Sequence, residues 1–204
     1  MIVKAFEGTL SAQGLKLVEE VLRDGGIIIY PTDTVYSIGC DALNIKALER
    51  LANLKGIDPN KSRFSVVCAN IAQASTYAKI DDKAFQLLKE NTPGPFTFIL
   101  PVGSALPRIY KGRKEVGIRI PQHPLPISLI EYYGSPLTGF SLPRKDEPLD
   151  EAYEYHPELI HELWDKHVDL VIDSGMGGSV PSAIIDCTQH PYQILREGIK
   201  HPNM

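Results

Sequence analysis

Short β-branched runs bounded by glycine and proline recur along this chain, separated by segments of helical periodicity. That alternation constrains the fold more than any other feature. Ile27-Ile-Ile-Tyr30 follows Gly25-Gly26 and stops at Pro31, which fits a strand buried on both faces. Similar runs predict strands over 26–30, 65–68, 96–100, 116–120, 137–141, 168–173, 183–186 and 193–196. Between them, Leu15, Val18, Val21 and Leu22 share one helical stripe, with Ser11 placed to cap it. Leu48, Leu51 and Leu54 form a second stripe. Helices are predicted over 10–23, 44–54, 72–77, 82–90, 126–133 and 156–167. Interleaved helices and strands favour an α/β or α+β domain with a helix-covered mixed sheet. With 204 residues and no internal repeat or long linker, residues 1–204 read as a single domain.

Composition narrows the function classes. Apolar residues make up 43% and charged residues 23%, which excludes disorder, collagen and a coiled coil as the main description. No apolar run is long enough to span a bilayer, and the amino terminus carries no secretory pattern. Cys40, Cys68 and Cys187 form no CxxC pair, so buried thiols in a reducing cytoplasm are expected. The net charge of −4 argues against a general nucleic-acid coat, yet the charge is uneven. Residues 103–123 carry Arg108, Lys111, Arg113, Lys114 and Arg119 against Glu115, whereas 146–165 hold eight acidic residues and no Lys or Arg. Solvated surface explains both stretches; alternatively, the basic one faces phosphates.

Pro31-Thr-Asp-Thr-Val-Tyr36 places Thr32, Asp33, Thr34 and Tyr36 directly after a buried strand. Hydroxyls and a carboxylate at a strand end suit a ligand site, and they equally suit a satisfied turn. Gly175, Gly177 and Gly178 follow a strand but do not open a helix, so a dinucleotide fingerprint fails. A plain glycine turn, or one whose amides meet an anion, remains. There is no GxxxxGK[ST] and no GxSxG, and His161 and His167 lack the HExxH spacing. The remaining candidates are cations and hydroxyls: Lys55, Lys61, Arg63, Thr97, Arg119, Ser141, Ser182 and Arg196. Arg119 lies between isoleucines, so it either snorkels outward or is paired in a polar cleft.

Taken together, several segments resemble the YrdC/YciO family of threonylcarbamoyl-adenylate synthase domains. They are Pro31-Thr-Asp-Thr-Val-Tyr36 with Gly39-Cys-Asp41, Lys55, Asn91-Thr-Pro-Gly-Pro-Phe-Thr97, Gly117-Ile-Arg-Ile-Pro121, Pro181-Ser-Ala-Ile-Ile-Asp186 and Leu195-Arg-Glu-Gly198, in family order over about residues 10–198. The resemblance implies an α+β, YrdC-like fold: a twisted mixed sheet covered by helices around a large concave cleft. It implies a cytoplasmic nucleotidyltransferase that joins L-threonine, bicarbonate and ATP, with Mg2+, into L-threonylcarbamoyladenylate and pyrophosphate. The product would serve N6-threonylcarbamoylation of adenosine in certain tRNAs, and binding of tRNA or double-stranded RNA is also implied.

Carried onto this chain, Lys55, Arg119 and Arg196 are the catalytic cations. Thr32, Thr34, Tyr36, Arg63, Thr97, Ser141 and Ser182 bind substrate and nucleotide, and no protein metal ligands are expected. Two positions depart from the synthase branch and approach the YciO-like one. Lys55-Gly56-Ile57 lacks the Arg of Lys-x-Arg, and Ser141-Leu142-Pro143 has Pro in place of Asn. Arg63 or Lys61 is the candidate replacement for the missing guanidinium. The competing class is an RNA- or nucleotide-binding protein of the YciO-like branch without efficient synthase activity. If residues 103–123 bind RNA, phosphate contact should dominate, since Tyr110 is the segment's sole stacking aromatic. Neutralising Lys111, Arg113 and Lys114 together is then expected to flatten the log–log salt dependence of binding by roughly two to three units. Polarisation titrations across salt concentrations check this, and an unaltered slope would exclude the segment.

Overall fold

The computed structural model describes residues 1–58, 64–110, 112–142 and 152–204. Lys61, Arg63, Lys111, Pro143 and the first part of the acidic stretch lie outside the described residues. The chain runs β1 (Ile2–Lys4), α1 (Ala12–Arg23), β2 (Ile28–Tyr30), β3 (Ser37–Asp41), α2 (Ile45–Lys55), β4 (Ser65–Val67), α3 (Ile71–Tyr77), α4 (Asp82–Asn91) and β5 (Phe96–Pro101). It continues with a 3-10 turn (Arg108–Tyr110), β6 (Glu115–Arg119), α5 (Pro124–Tyr133), β7 (Leu137–Ser141), α6 (Ala152–Tyr155), α7 (Pro157–Trp164), β8 (Leu170–Asp173), β9 (Ala183–Asp186) and β10 (Gln193–Arg196). This is the expected α+β fold. The strands form one mixed ten-stranded sheet in the order β1-β8-β2-β3-β7-β4-β6-β5-β9-β10.

Local signals explain the elements. Ser11 caps α1 by accepting the Gly14 N–H, and Asn44, Asn70 and Asp81 cap α2, α3 and α4 in the same way. Gly56 ends α2 in the left-handed region at φ 72°, which glycine adopts without strain. Three elements were not expected. β1 has only three residues and no periodicity to read. No element is read over residues 37–41, because β3 is only five residues long and contains Gly39. α6 is a four-residue helix.

Residues paired across a ladder point to the same side of a sheet, so register sorts the two faces. One face carries Ile29, Ile38, Cys40, Val66, Phe98, Ile118 and Ile185, and packs under Leu48 and Leu51 of α2 and Leu88 of α4. Half of the opposite face is equally apolar. Ile28, Val67, Leu137, Leu170 and Ile172 pack there against Val18 and Leu22 of α1 and Leu125 and Leu129 of α5. Each such buried side chain contributes roughly 1.5–3 kcal/mol. The other half of this face is different in kind. Ser37 pairs with Ser141, Ser65 with both Gly117 and Gly139, and Thr97 with Arg119. Small polar residues and glycines offer a covering helix nothing to bury against, and this half of the face forms the floor of a cleft.

The three cysteines are buried and unpaired, as expected, and burial raises the Cys68 and Cys187 thiols to about 12. Among the described residues no helix is long and apolar enough to cross a membrane. The glycine turn after β8 is a packed element whose amides are consumed internally. Gly175 N–H donates to Asp173, Gly177 N–H to the Tyr155 carbonyl and Gly178 N–H to the Thr34 carbonyl. A Cβ on Gly178 would sit 2.5 Å from the Thr34 oxygen, and one on Gly177 would sit 2.6 Å from the Tyr36 ring. Tyr36 secures the same turn: its hydroxyl donates to the Gly175 carbonyl at 2.7 Å and accepts from the Ser174 N–H at 3.2 Å. Burial raises this phenol to about 12. Tyr36→Phe is expected to lower the unfolding free energy by about 1–3 kcal/mol, read from urea denaturation. An unchanged midpoint would mean that the hydroxyl does not hold the turn.

Candidate functional site

The uncovered half of the sheet opens into a cavity of about 440 Å3. Its floor includes Ser37, Ser65, Thr97, Arg119, Gly139 and Ser141, and its walls include Leu54, Lys55, Phe140, Trp164, Ser182 and Arg196. A second recess of about 800 Å3 shares Ser65, Thr97 and Ile184 with it and is lined also by Arg113, Lys114 and Glu115. Of the residues expected to form the site, Lys55, Thr97, Arg119, Ser141, Ser182 and Arg196 therefore meet around one cavity.

Arg119 organises the centre. It is 6% exposed, and its Nη2 donates to Thr32 Oγ1 at 3.0 Å, Asp33 Oδ1 at 2.8 Å and Thr34 Oγ1 at 2.6 Å. The second oxygen of Asp33 accepts the Gln122 N–H at 2.9 Å. Thr32 also donates to the Val35 carbonyl at 2.7 Å, so the turn after β2 is tied both to itself and to β6. Both readings of the Thr-Asp-Thr segment thus have a physical counterpart: it is a satisfied turn, and its function is to hold a cation. Thr32 and Thr34 touch Arg119 but do not line the cavity, and Tyr36 turns away to the glycine loop. Arg119 Nε has no partner among the described residues.

Arg196 approaches from the edge strand β10. Its Nε and Nη2 donate to the Ser182 carbonyl at 3.1 and 2.8 Å, and Ser182 Oγ lies 2.9 Å from Thr97 Oγ1. Burial first, then the charge of Arg119, pulls the Arg196 guanidinium below its ordinary value. Two guanidinium groups thus sense each other, and Asp33 pairs with Arg119. Lys55 adds a third cation. It ends α2, where the last carbonyls favour positive charge. Its Nζ stands 4.5 Å from the centroid of Phe140 and 5.6 Å from that of Phe64. Burial lowers its ammonium pKa. Ile57 packs against the main core and supplies no cation. Burial also raises the Tyr30 phenol on the cavity wall, while the charge of Arg119 opposes the shift.

Sequence reasoning missed Tyr30, Ser37, Ser65, Leu54, Phe140 and Trp164. The strand residues could have been found only by knowing that β3, β7, β4 and β6 are neighbours. Nothing local marked Trp164, which read as part of an ordinary amphipathic helix. Among the described residues no carboxylate lines the smaller cavity, and Glu115 lines the larger recess.

The class is a mixed sheet with a cationic cleft, and comparison with known proteins gives the family. The Sua5/YciO/YrdC family model, described as "Telomere recombination", matches residues 20–198, and the chain belongs to that family. It is 37% identical over 182 residues to the uncharacterized protein YciO of Escherichia coli, covering 88% of this chain and 86% of that one. The crystal structure of that YciO superposes with a TM-score of 0.88 at 32% identity, covering 98% and 97% of the two chains. The threonylcarbamoyl-AMP synthase of Pyrococcus abyssi is 30% identical over 187 residues, which span 90% of this chain and 54% of that protein. The structure of P. abyssi Sua5 complexed with L-threonine superposes with a TM-score of 0.85 at 28% identity, over 97% of this chain and 57% of that one.

The Asp33–Arg119 pair is largely shielded from water, with side chains 10% and 7% exposed. Removing one partner leaves an uncompensated buried charge. Asp33→Ala is therefore expected to destabilise the fold by about 3–5 kcal/mol, and the double variant Asp33→Ala/Arg119→Met to recover part of that loss. Denaturant unfolding of both variants checks it. An additive double variant would mean that the pair is not coupled.

Proposed function

We propose that this cavity binds ATP and L-threonine and that the protein forms L-threonylcarbamoyladenylate for tRNA modification in the cytoplasm. The observation that carries the reading is the meeting of Lys55, Arg119 and Arg196 around a cavity of about 440 Å3 whose lining, among the described residues, includes no carboxylate. Such a site selects a ligand with several negative charges. The relatives support the chemistry: a synthase of this name and an L-threonine complex both share the fold.

In the proposed reaction the threonine amine combines with bicarbonate to give a carbamate and water. A carbamate oxygen then attacks the α-phosphorus of ATP, and the bond to the β-phosphate oxygen breaks to release pyrophosphate. No side chain needs to become covalently bound. The chain's contribution is to bring two anionic reactants together and to offset charge that builds on the phosphoryl oxygens. Arg119 is pre-positioned for this by three hydrogen bonds, and Arg196 by the Ser182 carbonyl. The hydroxyls of Thr97, Ser141 and Ser182 would orient substrate. The donor set does not fit a resident Mg2+ ion, since hydroxyls and cations line the cavity. Mg2+ would enter on the phosphates of ATP as part of the substrate.

A second reading is favoured by Ile57, which the core takes up where the synthase branch has an arginine. In that case the cleft binds a nucleotide or an RNA segment without efficient turnover. Pyrophosphate release that requires both threonine and bicarbonate supports the synthase, whereas binding without release supports the second reading. In either case Lys55→Ala is expected to weaken AMP or ATP binding roughly tenfold to a hundredfold, the effect of losing one charge-assisted hydrogen bond. Because only the ammonium form binds phosphate, wild-type affinity should fall as pH rises. The fall should begin at lower pH than for an exposed lysine. Calorimetry across pH checks both, and unchanged affinity in the variant would remove Lys55 from the site.

A further inference from the structure

Lys55 is an exposed residue at the end of α2, and a lysine there ordinarily extends its ammonium into water. Here the ammonium lies back over two rings instead. Among the described residues no carboxylate pairs with it. Nζ is 4.5 Å from the Phe140 centroid and 5.6 Å from that of Phe64, and the two centroids are 5.5 Å apart with the rings 21° from parallel. The three centres thus form a roughly equilateral triangle, so the ammonium meets both rings from one side rather than with Phe140 between it and Phe64. Sheet register puts the rings there. β4 and β7 are antiparallel with Ser65 opposite Gly139, and one step further along the ladder Phe64 faces Phe140. Phe64 is buried in the main core, Phe140 packs against that core, and Phe140 also lines the 440 Å3 cavity beside Lys55.

A stacked pair anchored in the core thus presents its electron-rich side to an ammonium on the cavity wall. The pair does two things for Lys55. It replaces part of the hydration that burial removes, which favours the charged form. It also fixes the ammonium in place, where a free lysine would sample many rotamers. The other titratable side chains lining this cavity are Tyr30, Arg119 and Arg196, so among the described residues no carboxylate there competes for the ammonium. We propose that Phe140, backed by Phe64, is a positioning residue whose ring holds the charged Lys55 on the cavity wall for an anionic oxygen of the ligand. The inference rests on the nucleotide reading only for which anion that is. It separates the two roles on this wall: the lysine meets the ligand, and the ring pair sets where and in what form it does so.

The wild-type protein, labelled with 13C-lysine, gives the first readout. Protons over a ring face are shielded, so the Lys55 Hε signal, assigned by its loss in Lys55→Arg, is expected upfield of the other lysines. It should move when pyrophosphate is added. Phe140→Leu keeps an apolar wall and removes the ring. It should bring that signal back toward the others, lower the pH at which Lys55 loses its proton, and weaken pyrophosphate binding about threefold to tenfold by calorimetry. Phe140→Tyr keeps the ring and should match the wild type in all three, which a merely structural role would not require. A wild-type Lys55 signal lying among the other lysines overturns the inference, even if Phe140→Leu does not fold. A folded Phe140→Leu with unchanged titration and affinity also overturns it; if ATP and AMP bind that variant, the nucleotide reading stands. If pyrophosphate binding depends on the ring while AMP and ATP do not bind, the positioning role stands and the nucleotide reading fails. If none of the three binds the wild-type chain, both fail.

Discussion

The structure depends on one buried ion pair. Arg119 ends β6 and Asp33 lies in the turn after β2, 86 residues earlier in the chain, and β2 and β6 are not neighbours in the sheet. Their contact draws the turn after β2 across β3, β7 and β4 to the end of β6. Burying two charges is costly, and the cost is met only if the remaining donors and acceptors are satisfied. Thr32, Thr34 and the Gln122 N–H do most of this. What they leave open is Arg119 Nε, on a residue that lines the cavity. Holding a cation rigid where water is scarce makes its charge count for more against an incoming anion.

The same economy of space explains why the cleft exists. Half of one sheet face is paved with leucine, isoleucine and valine, and two helices cover it. The other half presents Ser37, Ser65, Gly117, Gly139 and Ser141. Gly117 is close to the limit, since a Cβ there would fall 2.9 Å from Ser65 Oγ and 3.3 Å from the Thr97 methyl. Covering this half would gain little apolar burial and would strand several hydroxyls. The fold leaves it to a ligand instead.

How much of this was legible in the sequence follows from where the signal is stored. Helices α1, α2 and α4 were readable because stripe and cap lie within a dozen residues of one another. β3 was missed because Ser37-Ile-Gly-Cys-Asp41 is short and its pairing partners, Tyr30 and Ser141, lie on either side of very different sequence distances. The cations Lys55, Arg119 and Arg196 and the hydroxyls Thr97, Ser141 and Ser182 could be picked out because each sits in a motif of distinctive composition. Their convergence could not be derived from spacing and came from the resemblance. The roles of Thr32, Thr34 and Tyr36 needed the coordinates, since a hydroxyl that binds a ligand and one that braces an arginine look alike in a sequence. Trp164 left no trace of its position, because a helix-end aromatic is most often core.

Ile57 shows how such a family can diverge without losing its fold. Gly56 ends α2 in the left-handed conformation, so the next residue leaves the helix at a fixed angle, and its amide returns to the Ala52 carbonyl at 3.0 Å. An isoleucine at this point turns into the core, whereas an arginine would have to reach solvent or the cavity to keep its charge hydrated or paired. The exchange therefore converts one unit of positive charge at the cavity rim into packing. Lys55, one turn-end earlier, keeps its place over Phe140 without that neighbour. Among the described residues a ligand in this cleft meets Lys55, Arg119 and Arg196, three cations held by three different elements, so their spacing as well as their charge selects what binds.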